Sequence, residues 1–193
     1  MQRAQGWAGA FLALALIATP TMAQDKEMKK SEPMEKKAEA KGARAEIVAQ
    51  IKAGQEKLAA LAEAMPADKY GWRPGTGVRS VGEVFLHVAG GNYFLSTFFG
   101  GKPPAGLDIR NLEKDGGDKA KAIEGMKKSF EHVLAAINAV PDADLEKSVK
   151  LFGNDGTYRE AMLIVATHVH EHLGQSIAYA RMNGVVPPWS AKQ

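Results

Sequence analysis

Three of the five histidines fall within one short stretch, residues 167–175 (THVHEHLGQ), at positions 168, 170 and 172. On a helix, side chains four apart share a face, with Cβ atoms about 5–6 Å apart, whereas side chains two apart point nearly opposite ways. His168 and His172 can therefore hold one ion between them, while His170 and Glu171 look elsewhere. Two ligands seldom suffice, so a third has to come from another part of the chain. His87, beside the apolar Val84 and Val88, is the better placed; His132 is the other candidate, flanked by Glu131 and close to Lys127 and Lys128. An i, i+4 histidine pair is also a common solvated helix edge, so spacing alone leaves both readings standing.

The rest of the composition narrows the chemistry. The 193 residues contain no Cys, which excludes a disulfide framework, a thiolate zinc site, a cysteine nucleophile and a lipidated Cys. Any metal has to be held by His, Asp or Glu, and imidazole accepts zinc, nickel, manganese, iron or copper. The formal charge of +3 is spread out, without a dense basic block in the folded part, and gives no footprint for nucleic acid. There is no G-x-S-x-G, no phosphate-binding glycine loop with Lys and Ser/Thr, and no G-x-G-x-x-G after a strand. The glycine pairs at 90–91, 100–101 and 116–117 read as helix or loop glycines. For Gly90 and Gly91, close approach of another helix or of a ligand, or a kink, would account for their place in a helix.

The elements that must carry these histidines follow from periodicity. Apolar residues at 47, 51, 58, 61 and 65 predict an amphipathic helix over residues 44–65, stopped by Pro66. Residues 66–79 hold two prolines and three glycines and read as a loop, with Tyr70 and Trp72 packed over the domain end. Ser80 and Glu83 form a capping box that opens a second helix running toward Phe99. A third runs from about Asp118 to Val140 and ends at Pro141. The connection 141–158 is long for a helix–helix loop and has room for a short turn of its own. Thr157 and Glu160 repeat the capping-box pattern and open the longest helix, from Tyr158 to about Met182, with Asn183-Gly184 as its stop. Four amphipathic helices without convincing period-two alternation predict an all-α four-helix bundle.

Ahead of the folded part, residues 1–23 read as a signal peptide: Arg3, an apolar stretch from Ala8 to Ala18, then small residues at Thr21 and Ala23. Residues 24–43 mix Lys with Glu and lack aromatic residues, as a flexible charged linker does. The expected organisation is thus signal peptide 1–23, linker 24–43 and one domain at 44–193. The expected location is periplasmic or secreted, with no stable membrane anchor once the signal is removed.

Residues 66–94 (PADKYGWRPGTGVRSVGEVFLHVAGGNYF) and 168–188 (HVHEHLGQSIAYARMNGVVPP) together resemble the DinB/YfiT-like superfamily of metal-binding four-helix bundles. The resemblance spans about residues 44–188, and its most specific parts are the W-R-P turn at 72–74, the run ending in His87, and the H-x-x-x-H-x-G-Q element. It implies an up-down-down-up bundle with a divalent metal on His87, His168 and His172, and with Gln175 as a cofactor-binding or ligand-orienting residue. It also implies either a metal-dependent hydrolase or a thiol-dependent transferase using a low-molecular-weight thiol; the alternative is a non-catalytic metal-binding or stress-response module. Leu173 stands where many relatives carry Arg, which removes a cation from the expected site. The implied partner is a small-molecule substrate and not a nucleic acid, and a homodimer through helix faces is compatible with the pattern.

Overall fold

The computed structural model describes residues 42–190. The signal peptide expected at 1–23 lies outside them, as does the linker expected at 24–43 except for Gly42 and Ala43, and Ala43 already begins the first helix. Among the described residues the chain is all-α apart from one small hairpin. Helices α1 (Ala43–Ala64), α2 (Val81–Ser96), α3 (Lys119–Ala139) and α4 (Tyr158–Met182) are the long elements. None is long and apolar enough to cross a membrane.

Each helix buries the stripe its sequence spells out. Ile51, Leu58 and Leu61 of α1, Val84, Phe85 and Val88 of α2, Met126, Phe130 and Ile137 of α3, and Met162, Val165 and Val169 of α4 are all at most 2% exposed and meet in one core. Tyr70 is fully buried in that core, its hydroxyl donating to the Ala62 carbonyl at 2.7 Å. Trp72 meets the Tyr179 ring edge-on at 5.5 Å.

The ends of the helices fix their relative directions. Arg44, at the start of α1, donates to the carbonyls of Asn138 (3.3 Å) and Val140 (2.6 Å) at the end of α3. Lys119, at the start of α3, donates to the carbonyls of Glu63 (2.7 Å) and Met65 (2.9 Å) at the end of α1. Each cation sits on carbonyls that have no partner inside their own helix, so α1 and α3 are antiparallel and cap one another. The Asn92–Ser129 and Ser96–His132 hydrogen bonds, each 3.0 Å, advance together along α2 and α3, which are parallel. His87 meets His172, and Gly91 meets His168, so α2 and α4 are antiparallel.

Parallel neighbours require the chain to return along its own length, and residues 97–118 do so. The α-helix stops at Ser96, short of the expected Phe99, and tightens into a 3-10 turn over Thr97–Phe99. A 3-10 stretch over Ile109–Asp115 then lies against α2. There Gly82 and Gly116 touch so closely that a Cβ on Gly82 would stand 1.8 Å from the Gly116 carbonyl oxygen.

The Ser80–Glu83 capping box is complete, with Glu83 N–H donating to Ser80 Oγ (3.3 Å) and Ser80 N–H to Glu83 Oε2 (2.8 Å). At α4 the hydroxyl half forms, Glu160 N–H donating to Thr157 Oγ1 at 3.1 Å. The long connection before α4 contains an antiparallel hairpin, β1 (Ser148–Leu151) and β2 (Asn154–Thr157), paired Leu151 to Asn154 and Ser148 to Thr157. Phe152 (φ 51°) and Gly153 (φ 92°) form its two-residue turn. Two positive φ angles match the primed turn that joins twisted strands. Strands of four residues are too short to display alternation, and the turn-like Asn154-Asp155-Gly156 lies inside β2.

Candidate metal centre

The structure brings His87, His168 and His172 together: one nitrogen from each lies within 4.8 Å of the other two. Ring centroids stand 5.2 Å apart for His87 and His168, 4.6 Å for His87 and His172, and 4.5 Å for His168 and His172. The spacing of four sets the last pair on one face of α4. The antiparallel register of α2 against α4 then delivers His87 between them.

Two of the rings are oriented from behind. His87 Nδ1 lies 2.9 Å from Glu113 Oε1, and the other carboxylate oxygen of Glu113 accepts from Arg79 Nε at 2.8 Å. His172 Nδ1 lies 2.8 Å from Gln175 Oε1, and the Gln175 amide nitrogen donates to the Tyr179 hydroxyl at 3.0 Å. A carboxylate or amide oxygen can only accept, so Nδ1 carries the proton in both rings and each Nε2 presents a lone pair. Partners of this kind fix the tautomer and angle of metal-bound histidines. Gln175, expected as a cofactor-binding or ligand-orienting residue, touches His172 and Tyr179.

The third ring is placed by a glycine. A Cβ on Gly91 would stand 2.2 Å from His168 Cε1 and 2.8 Å from its Nδ1, so the imidazole occupies the space a side chain would take. Close approach of α4 therefore accounts for Gly91. Gly90 is different, since a Cβ there would meet Ile109 at an ordinary 3.6 Å.

His168 Nε2 faces His87 Nε2 at 3.4 Å, while its Nδ1 is buried without a partner. Nitrogens on a tetrahedral ion with bonds of 2.0–2.1 Å stand about 3.3 Å apart, so this separation suits a shared cation. Burial, with the neighbouring His172 and His87 and then Arg79, pushes the His168 imidazole down to about 4. Burial also lowers His87, although its bond to Glu113 pulls the other way. Both are neutral at pH 7 with their lone pairs available, as metal binding requires. Three converging imidazoles, two of them preset in tautomer by Glu113 and Gln175, fit a divalent ion with open positions.

The remaining histidines serve elsewhere. His132 Nε2 lies 3.0 Å from Ser96 Oγ and its ring packs on Tyr93, joining α3 to α2. His170 is exposed and donates to the Gln50 carbonyl of α1 at 3.0 Å. Leu173 is buried in the core, so its side chain does not belong to the site; the cation near the imidazoles is Arg79. Spacing gave no sign of Glu113 or Arg79, because each reaches the site only through the folding of its loop.

The model of the DinB superfamily matches residues 50–176. Solved structures with the same fold include a DinB-like protein from Bacillus subtilis, 18% identical, covering 72% of this chain and 92% of its own, with a TM-score of 0.54. Another is a DinB-like protein from Bacillus cereus, 15% identical, covering 74% and 93%, with a TM-score of 0.58. No curated protein matches the sequence.

Proposed function

Because the chain belongs to the DinB superfamily and three of its imidazoles converge, we propose that it is an exported divalent-metal protein that activates a small nucleophile. The nucleophile is either water, for hydrolysis, or a low-molecular-weight thiol, for transfer. The helix directions support reading α1–α4 as an up-down-down-up four-helix bundle. The observation that carries the proposal is the convergence of His87, His168 and His172 within 4.8 Å, two of them locked from behind.

A bound divalent ion supplies a Lewis acid that lowers the pKa of a coordinated water or thiol. The chain's own residues prepare that place. Glu113 and Gln175 hold two Nε2 lone pairs inward, burial keeps His168 and His87 neutral, and Gly91 lets the third ring enter. Since the chain has no Cys, a thiol nucleophile has to arrive as a separate molecule. Zinc, nickel, manganese and iron are the candidate ions, and three imidazoles do not choose among them. The apolar stretch before the charged segment supports export to the periplasm or medium.

The second reading is a module that binds metal without catalysis. It is favoured by one observation: the carboxylate beside the rings, Glu113, is already committed to His87 and Arg79.

Elemental analysis tests the shared premise. Wild-type protein should hold close to one divalent ion per chain, and a His87→Ala, His168→Ala double variant should hold none; equal content in the two would overturn the metal reading. Turnover of a panel of thiols with electrophiles, and of hydrolysable esters and amides, then separates the readings. Turnover abolished by chelator supports the enzyme, and its absence from fully loaded protein supports the module.

A further inference from the structure

His87 does not stand alone on its face of α2. At 100° per residue, His87, Gly91 and Phe94 fall within about 60° of one another, a single stripe running from the imidazoles toward the helix's C-terminal end, and Phe98 follows in the 3-10 turn Thr97–Phe99. Past Gly91 the stripe turns aromatic, and Phe152, from the tip of the β1–β2 hairpin, joins it. Ring centroids stand 5.3 Å apart for Phe94 and Phe98, 5.2 Å for Phe98 and Phe152, and 6.2 Å for Phe94 and Phe152. The pairs meet edge-on or tilted, the arrangements aromatic rings favour.

Two features set this cluster apart from core packing. Phe94 is 46% and Phe152 63% exposed, so much of the apolar surface faces solvent. Phe152 also has φ of 51°, a left-handed conformation that bulky side chains rarely adopt and that Asn or Gly would take easily. Neither burial nor turn geometry explains a phenylalanine at that position. Between the aromatic cluster and the imidazoles, the helix surface is Gly90 and Gly91, with the His168 ring on one side and Ile109 on the other. The same face thus carries a metal-binding end and an aromatic end, with the His168 ring seated against Gly91 between them.

We propose that Phe94, Phe98 and Phe152 form the binding subsite for an aryl or similarly apolar body of the substrate, whose donor atom reaches the three imidazoles. This rests on the metal reading above and adds the substrate class: a small molecule with a metal-binding head and an aromatic or extended hydrocarbon tail.

The test uses cobalt(II)-loaded full-length protein titrated with ethanethiol and with 2-phenylethanethiol, which share the head and differ in the phenyl group. The phenyl compound should bind at least tenfold more tightly to wild type. That ratio should fall to about twofold or less in Phe94→Ser and in Phe152→Gly, with cobalt uptake unchanged. Phe152→Gly guards against a folding artefact, because glycine relieves the turn and should leave the melting temperature equal or higher. A ratio unaffected by both substitutions overturns the subsite.

Protein that takes up no cobalt overturns the metal reading and leaves the subsite to be judged on metal-free protein. There, amide shifts at residues 94, 98 and 152 on adding 2-phenylethanol support it, and their absence overturns it. Sedimentation resolves the remaining occupant: a wild-type dimer that becomes monomeric in Phe152→Gly, with the thiol ratio unchanged, makes the patch a contact between copies and overturns the proposal.

Discussion

Nδ1 of His87 lies 2.9 Å from Oε1 of Glu113, a residue 26 positions further along the chain and outside the helix that carries the imidazole. The carboxylate is itself steadied by Arg79 at 2.8 Å. The angle of one prospective ligand is therefore set by the segment that returns between α2 and α3.

Removing that support should weaken the site without dismantling the fold. Outer partners of metal-bound histidines typically contribute 10- to 100-fold in affinity. Glu113→Ala is expected to lose metal affinity in that range, measured by competition with a chromophoric chelator, and Glu113→Gln to lose less because its amide oxygen still accepts from Nδ1. Affinity unchanged in Glu113→Ala would remove the carboxylate from the site's design.

Acidification should destabilise the metal-free protein in a defined window. Histidine ordinarily titrates near 6.5, and burial holds folded His168 at about 4, so the unfolded chain takes up this proton first. The contribution of neutral His168 is then fully present above about pH 6.5 and lost as pH falls toward 4, on the order of 3 kcal/mol at its full extent. His87 is displaced in the same direction. The melting temperature of metal-free wild type should drop between pH 7 and pH 4.5, and less so in His168→Asn; identical pH profiles would refute the assignment.

Adjacent glycines of α2 should answer a methyl group in opposite ways. Gly90→Ala meets only Ile109, at 3.6 Å, and should gain part of the roughly 1 kcal/mol by which alanine exceeds glycine in helices. Gly91→Ala drives a methyl into the His168 ring, 2.2 Å from its Cε1, and should lose most metal uptake. Paired melting curves and metal titrations read both effects.

Metal should stabilise the folded chain by mass action. At free metal about 100-fold above the dissociation constant, the gain is about 2.7 kcal/mol, several degrees in melting temperature for a domain of this size. His172→Ala should abolish the shift, and His132→Ala should keep it, because His132 bonds Ser96 and lies outside the cluster.

The long helices were legible because each repeats its apolar residues at the helical period, and Pro66 and Pro141 mark two of the stops. The spacing of His168 and His172 is enough to put them on one face. Choosing between His87 and His132 is another matter, since both lie on helices rich in apolar residues. What separates them is that one faces α4 and the other ties α3 to α2, a tertiary fact that no local pattern carries. Glu113 was invisible for a related reason: the 3-10 stretch Ile109–Asp115 has no amphipathic stripe, and its place depends on the Gly82–Gly116 contact. The hairpin was hidden by the brevity of its strands, and its turn by Phe152, the wrong residue for a local rule.

The parallel run of α2 and α3 has a consequence for how the site comes into being. His87 precedes the returning segment, Glu113 lies within it, and His168 and His172 come only in α4, so no contiguous fragment short of that span contains the full set. Metal capture is accordingly a late event in assembly. An ion in place would act as a latch across the return segment, slowing amide exchange from residues 109–115 more than from the termini of α1.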